Sequence, residues 1–242
     1  MVATPTPEQN QILNALHPDA RNRLFSFLKL VELPLGKVLY ESGALLRHIY
    51  FPVDAIVSLL YVLESGASAE IAVVGNEGVL GVALFMGGET TTNRAIVQSA
   101  GWAYRLTGAR LKREFERHAS LLHVLLRYTQ ALLTQMAQTA VCNRHHSVDQ
   151  QLCRWLLLSL DRLDSNKVTM TQELIANMLG VRREGVTEAA GKLQKQGAIK
   201  YSRGVITVLN RRLLETNCCE CYAVVRKETD RLQSRPPVLL SG

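Results

Sequence analysis

Three patterns of hydrophobic spacing follow one another along the 242 residues. At 8–30 the apolar positions keep helical spacing (Ile12, Leu13, Leu16, then Leu24, Phe25, Leu28) and break at His17-Pro18, which predicts two short helices behind a loose lead-in at 1–7. From 31 to 106 the pattern changes to short runs rich in β formers, such as Val38-Leu39-Tyr40, His48-Ile49-Tyr50-Phe51 and Ile71-Ala72-Val73-Val74. Gly or Pro separates them at Pro34, Gly43, Pro52, Gly66, Gly75 and Gly101. Many short strands at that spacing imply a sandwich, a barrel or a jelly roll. A long helix over 111–143 comes next, with a weak point near Ala119-Ser120. On it Leu122, Leu125, Thr129, Leu132, Met136 and Thr139 step by three and four, a heptad-like seam, while Leu126, Leu133 and Ala140 form a second stripe on another side. A helix apolar on two sides suits packing against its own domain and a partner at once; the plainer alternative is a core helix of a monomer. His145-His146-Ser147 breaks it, another amphipathic helix is expected over 148–163, and 164–167 reads as a turn-rich hinge.

The stretch 171–209 carries the clearest local signals. Thr171 is a good N-cap, although Leu174 leaves the capping box incomplete. Ile175 and Leu179 mark a core face, and Gly180 supplies the stop. A second helix follows, with Val186, Ala190 and Leu193 on its apolar stripe and Arg183, Glu184, Thr187 and Glu188 off it. Two short helices around a Gly turn describe a helix-turn-helix, whose second helix enters the major groove. Residues 198–201 and 205–209 read as a hairpin wing with Arg203 at its tip, placed to reach phosphate. An ordinary surface helical hairpin is the alternative; the wing and the paired arginines favour double-stranded DNA.

Composition narrows the class. The net charge is +7, and residues from 171 onward hold 12 Lys/Arg against 7 Asp/Glu, so the excess sits where DNA would be read. No basic leader, no apolar run of membrane-spanning length and an odd count of five cysteines imply a cytoplasmic chain without a membrane partner. Enzyme chemistry is not expected: the strand region offers only His48 as an imidazole ligand, and no nucleophile elbow or Walker loop occurs.

Strand domain, long helix and winged helix-turn-helix in that order resemble the Crp/Fnr family of bacterial transcription regulators over roughly 30–212. The shared motifs are Pro34-x-Gly36-x-x-Leu39-x-x-x-Gly43, Gly81-Val82-Ala83-Leu84-Phe85 with Arg94-Ala95, and Leu179-Gly180-Val181-Arg182-Arg183-Glu184-Gly185-Val186. The resemblance implies an α+β chain: an N-terminal β jelly-roll (double-stranded β-helix) sensor domain at 1–114, a dimerisation helix at 115–145, a winged helix-turn-helix at 146–213 and a cysteine-containing tail at 214–242. It also implies a homodimer on a palindromic operator, with RNA polymerase as a further partner. Leu122, Leu125, Thr129, Leu132 and Met136 would form the dimer interface. Arg182, Arg183, Glu184, Thr187 and Glu188 would read bases, and Arg203, Lys192 or Lys195 would hold phosphates. Glu188 stands where well-known members carry Arg, so it either reads a cytosine or pairs with a nearby cation.

In the sensor domain the family's cyclic-nucleotide Glu is replaced by Val82 after Gly81, and the small hydroxyl residue after the cassette Arg is Ala95, leaving only Arg94. Cyclic AMP is therefore not expected; Arg94 either holds another anion or ends in a salt bridge. No cysteine precedes Cys142, so the family's iron–sulfur cluster is not expected either. Cys218, Cys219 and Cys221 could bind a soft metal or act as a redox pair, or could simply be packing. Cys142 and Cys153 read as core, and His145-His146 as a polar hinge. Two rival functions remain beside an effector-gated regulator: one responsive to redox or metal through those cysteines, and a dimer that coats DNA without sequence preference.

Overall fold

In the computed structural model, which describes residues 4–234 apart from His118 and the side chains of 116–120, the first helical pattern becomes two short helices. The start of the expected lead-in and the end of the expected tail lie outside these residues. Asn10 is buried and caps α1 (Gln11–Asn14), accepting from the Ile12 and Leu13 N–H groups while its amide donates to the carbonyls of Pro52 and Gly78. Proline at the first position opens α2 (Pro18–Phe25).

The strands are β1 (Lys29–Leu33), β2 (Val38–Tyr40), β3 (His48–Pro52), β4 (Ile56–Val62) and β5 (Ser68–Val74), then the one-turn α3 (Ala83–Met86), β6 (Arg94–Ser99) and β7 (Gly101–Thr107). They pair antiparallel in two sheets, β1-β7-β3 and β2-β6-β4-β5, the jelly roll expected. β1 starts two residues before the strand pattern does, because the β7 ladder takes up its backbone from Lys29 opposite Arg105. Ile49, Phe51, Leu80 and Leu106 fill the space between the sheets.

The expected long helix is two, α4 (Gly108–Arg117) and α5 (Ala119–His145). α5 lies against the barrel, where the Gln135 amide exchanges hydrogen bonds of 3.1 Å with both backbone groups of Val73 and so satisfies the edge of β5. Its approach needs Gly78: a Cβ there would stand 2.5 Å from the Tyr128 ring. This packing corrects the expected dimer seam. Leu125, Thr129, Leu132 and Thr139 are buried inside the chain itself, with Leu122 and Met136 half-buried. The stripe left in solvent is the other one, Leu126, Leu133 and Ala140, with Leu126 and Leu133 exposed by 47% and 59% and the neighbouring Val141 by 48%. The sequence shows two apolar faces but does not say which one the barrel takes.

Ser147 and Gln150 form a capping box at the start of α6 (Val148–Leu160), which is buried along its length. The expected hinge at its end instead runs into β8 (Lys167–Thr169), a third wing strand. Then come α7 (Gln172–Leu179), α8 (Arg183–Lys195), β9 (Ile199–Ser202) and β10 (Val205–Val208), with sheet order β8-β10-β9. The expected tail is also structured, as α9 (Arg211–Asn217) and α10 (Glu220–Gln233). α10 runs along α5 with Val225 and Leu232 buried, and Gln130 donates to Glu228 across the pair. Barrel and C-terminal unit meet through Gln98 with Ser159 (3.0 Å) and through a buried ion pair between Glu77 and Arg162 (2.8 Å).

Candidate nucleic-acid interface

Local rules set the position of α8. The Thr171 hydroxyl accepts from Leu174 N–H to begin α7, and Gly180 ends it in the left-handed conformation (φ 66°). Val181 turns the chain, and α8 buries Val186, Ala189, Ala190 and Leu193 against α6 and α7. The opposite face is left in water. Arg182, Arg183, Glu184, Thr187 and Glu188 are all exposed on it, Glu184 within a turn of Thr187 and Glu188.

The wing is braced against this helix. Tyr201 donates its N–H to Gln194 and its hydroxyl to the Met170 carbonyl, at 2.7 and 2.8 Å, while Met170 N–H donates to Gly204 at 2.7 Å. At the tip Arg203 itself adopts a positive φ of 50°, unusual for a residue with a Cβ, and so holds its side chain at the corner of the turn. Arg203, Ser202, Tyr201 and Arg183 line one open cleft with the first turn of α7. Arg182, Arg183 and Arg203 make no ion pair among the described residues, so their charge faces outward uncompensated.

Other expected contacts are partly spent within the chain. Glu188 takes the second of its two roles, since its carboxylate lies 3.0 Å from Lys192, which Asp149 also holds at 3.1 Å. These two carboxylates hold the Lys192 ammonium above its ordinary pKa. Lys192 is therefore less free to meet phosphate than Lys195 or Arg203. The Thr187 hydroxyl is turned back, 2.8 Å from Gln172 and 3.0 Å from the Arg183 carbonyl.

In the barrel, Gly81 takes φ 93° and Val82 leads into α3, but Arg94 turns to Glu41 at 2.7 Å, the salt-bridge outcome of its two readings. Ala95 is fully buried. The space beside Gly81 and Val82 is about 30 Å³, walled by Tyr40, Leu59, Leu132 and Met136, and Arg94 is not among its walls. A nucleotide-sized ligand needs about ten times that volume.

The cysteines divide. Cys153 packs among the leucines of α6, as expected. Cys142 is fully buried, as expected, and there meets Cys219 at the start of α10, Sγ to Sγ 3.5 Å, while Cys221 lies 3.6 Å from His146 Nδ1. Cys218 stands beside them and half-exposed. Hydrogen bonds from Cys142 and Cys218 push the Cys219 thiol far down, and the same bonds push those two partners up. The signal overlooked in the sequence is the i, i+4 pair Cys142 and His146, a thiol and an imidazole spaced one turn apart across the end of α5.

A helix-turn-helix with a three-stranded wing, carried behind a jelly roll and a long helix, defines a two-domain DNA-binding regulator. The comparisons agree with that class. The cyclic nucleotide-binding domain profile matches residues 30–118, and that of the Crp-like helix-turn-helix domain matches 150–216. The chain belongs to the Crp/Fnr family of transcriptional regulators. Among solved structures it is similar to FixK2 from Bradyrhizobium japonicum, with a TM-score of 0.65 and 16% identity over 79% of this chain and 98% of that one. A CRP-family transcriptional regulator from Thermus thermophilus matches with a TM-score of 0.66 and 18% identity over 77% of this chain and 95% of the other. The c-di-GMP responsive global regulator CLP from Xanthomonas campestris has a TM-score of 0.64 and 15% identity over 79% and 99% of the two chains. No curated protein matches the chain. Among the described residues no helix is long and apolar enough to cross a membrane.

Proposed function

We propose that the chain acts as a homodimer which reads a two-fold symmetric operator with α8 and grips the flanking backbone with its wing. The observation that carries this reading is the outward face of α8, where Arg182, Arg183 and Glu184 stand exposed beside a wing braced to present Arg203. An arginine there can donate twice to a guanine edge and Glu184 can accept from a cytosine amino group. Arg203 and Lys195 supply charge without sequence information. The dimer contact is assigned to the exposed stripe Leu126, Leu133 and Val141, flanked by Leu122 and Met136. Leu126 and Leu133 stand one heptad apart on this 27-residue helix, a spacing that suits one row of a coiled-coil contact. In the proposed dimer the two copies of α8 face successive major grooves, about 34 Å apart. Recruitment or blocking of RNA polymerase would follow from where the operator lies relative to a promoter.

Selection of duplex DNA by the purified protein at near-physiological salt tests this reading. A palindromic winner is expected; equal affinity for selected and random DNA would leave the non-specific coating dimer in its place. With the winning site in hand, Glu184→Ala is expected to relax one base position by about 1–3 kcal/mol. Arg203→Ala should weaken all sequences alike and reduce the salt slope by about one ion. Leu133→Glu is expected to give a monomer in sedimentation that has lost the operator but still melts cooperatively. A dimer surviving that change would move the interface off α5.

A further inference from the structure

We infer that Cys142, His146, Cys219 and Cys221 together form a site for one divalent, thiol-preferring metal ion of the zinc class, which clamps α10 onto the end of α5. This inference does not rest on how α8 reads DNA.

The four ligand atoms, three Sγ and one imidazole nitrogen, all lie within 4.8 Å of one another. In a tetrahedral site with metal–sulfur bonds of about 2.3 Å and metal–nitrogen bonds of about 2.0 Å, neighbouring sulfurs stand roughly 3.8 Å apart and sulfur and nitrogen roughly 3.5 Å. The Cys142–Cys219 and Cys221–His146 separations of 3.5 and 3.6 Å are already close to those values. The other pairs need to close by about an ångström at most, within reach of a side-chain rotation. Two helix ends deliver the set. Cys142 lies in the last turn of α5, and His146, one residue past that helix, still donates its N–H to the Cys142 carbonyl at 3.0 Å; Cys219 and Cys221 flank the first residue of α10, where the helix dipole favours thiolate.

Three further features separate this cluster from ordinary packing. The buried thiols Cys142, Cys219 and Cys221 form a cluster of their own, outside both aliphatic cores, whereas Cys153 sits within one of them. His146 turns Nδ1 to the thiols while Nε2 lies 3.3 Å from the Glu220 carboxylate. That is the outer partner which fixes the tautomer of a metal-binding histidine and leaves the inner nitrogen free to donate its lone pair. The donor set also decides the class of ion. Three thiolates and an imidazole select a soft or borderline metal over magnesium or calcium, and four protein ligands leave no open position for a reacting water. The site is structural: its binding energy is lost when α10 leaves α5.

Cobalt titrated into the reduced, metal-free full-length protein tests the assignment. One equivalent per chain is expected to bring up thiolate-to-cobalt charge transfer and the intense visible bands of tetrahedral cobalt, and one equivalent of zinc to abolish them. Cys142→Ser and Cys221→Ser should lose that spectrum, while Cys153→Ser and Cys218→Ser keep it. Glu220→Gln, at an exposed position, should keep the bands but weaken zinc affinity by about 10–100-fold. The inference is overturned if the reduced wild type takes up no stoichiometric cobalt, if the bands are those of an octahedral ion, or if folded Cys142→Ser retains them.

Discussion

Arg162→Met is expected to cost about 3–5 kcal/mol of stability and to lower the melting midpoint by roughly 6–20 °C. Arg162 lies in the turn just past α6 and is buried against the turn that follows β5. Its Nε and Nη2 both meet Glu77 Oε1 at 2.8 Å, and Nη1 donates to the Leu158 carbonyl at 2.6 Å. Glu77 Oε2 accepts from Gly75 N–H at 3.0 Å, so both oxygens of the carboxylate are used. Methionine roughly fills the stem of the arginine but leaves Glu77 charged, buried and without its cation. The backbone approaches this side chain closely, for a Cβ at Gly75 would fall 2.8 Å from Arg162 Cγ. Adding Glu77→Gln to Arg162→Met removes the stranded charge and should recover part of the loss. Thermal melting of the two variants at pH 7 decides the matter. A single variant melting within about two degrees of wild type would mean that this ion pair does not join barrel to C-terminal unit.

Glu70→Gln is expected to act in the opposite direction, and mainly above neutral pH. Glu70 sits on β5 where the barrel meets α6, and burial pushes its carboxyl from 4.5 up to about 7 against the hydrogen bond of Ser58, the charges of Arg154 and Arg162 and the Trp155 indole. Among the described residues its Oε2 has no hydrogen-bond partner. A carboxyl whose pKa is raised by folding favours the protonated form, so folding is penalised as pH rises through the interval between the two values. Below about 4.5 both states are protonated and nothing is lost; above about 7 the whole penalty, about 3 kcal/mol, is present. Glutamine cannot ionise. The variant should therefore gain up to about that amount over wild type at pH 8 and well under half of it at pH 5. Melting midpoints of both proteins across pH 5–8 would show the gap opening with pH, and a constant gap would exclude Glu70 as its source.

Much of this architecture is written in local spacing. The strand runs, Pro18, the Thr171 cap and the Gly180 stop each depend on a few neighbouring residues, and the elements they predict are the ones observed. What escaped reading is decided between distant parts. Two apolar stripes on α5 look alike until the barrel covers Leu125 and Leu132 and leaves Leu126 and Leu133 outside. Lys167–Thr169 is too short and polar to announce a strand, and becomes one only because β10 pairs with it. The pairing of Arg94 with Glu41 and the grouping of Cys142 with Cys219 join residues 53 and 77 positions apart. No window of the sequence contains both members.

The turn between β5 and α3 has a consequence for the order in which the molecule is completed on the ribosome. Gln11 N–H donates to Asn76 O, and Gln233, at the end of α10, donates to Glu77 O across 156 residues. At roughly 5–20 residues per second, the last partner of that turn emerges about 10–30 s after the turn itself. For the later part of that interval, the roughly 4–18 s between the end of α5 and the end of α10, the barrel and α5 exist without α10, and the flank of α5 that α10 covers lies open. Synthesis of α10 therefore sets the moment at which that flank is covered and closed to any other chain.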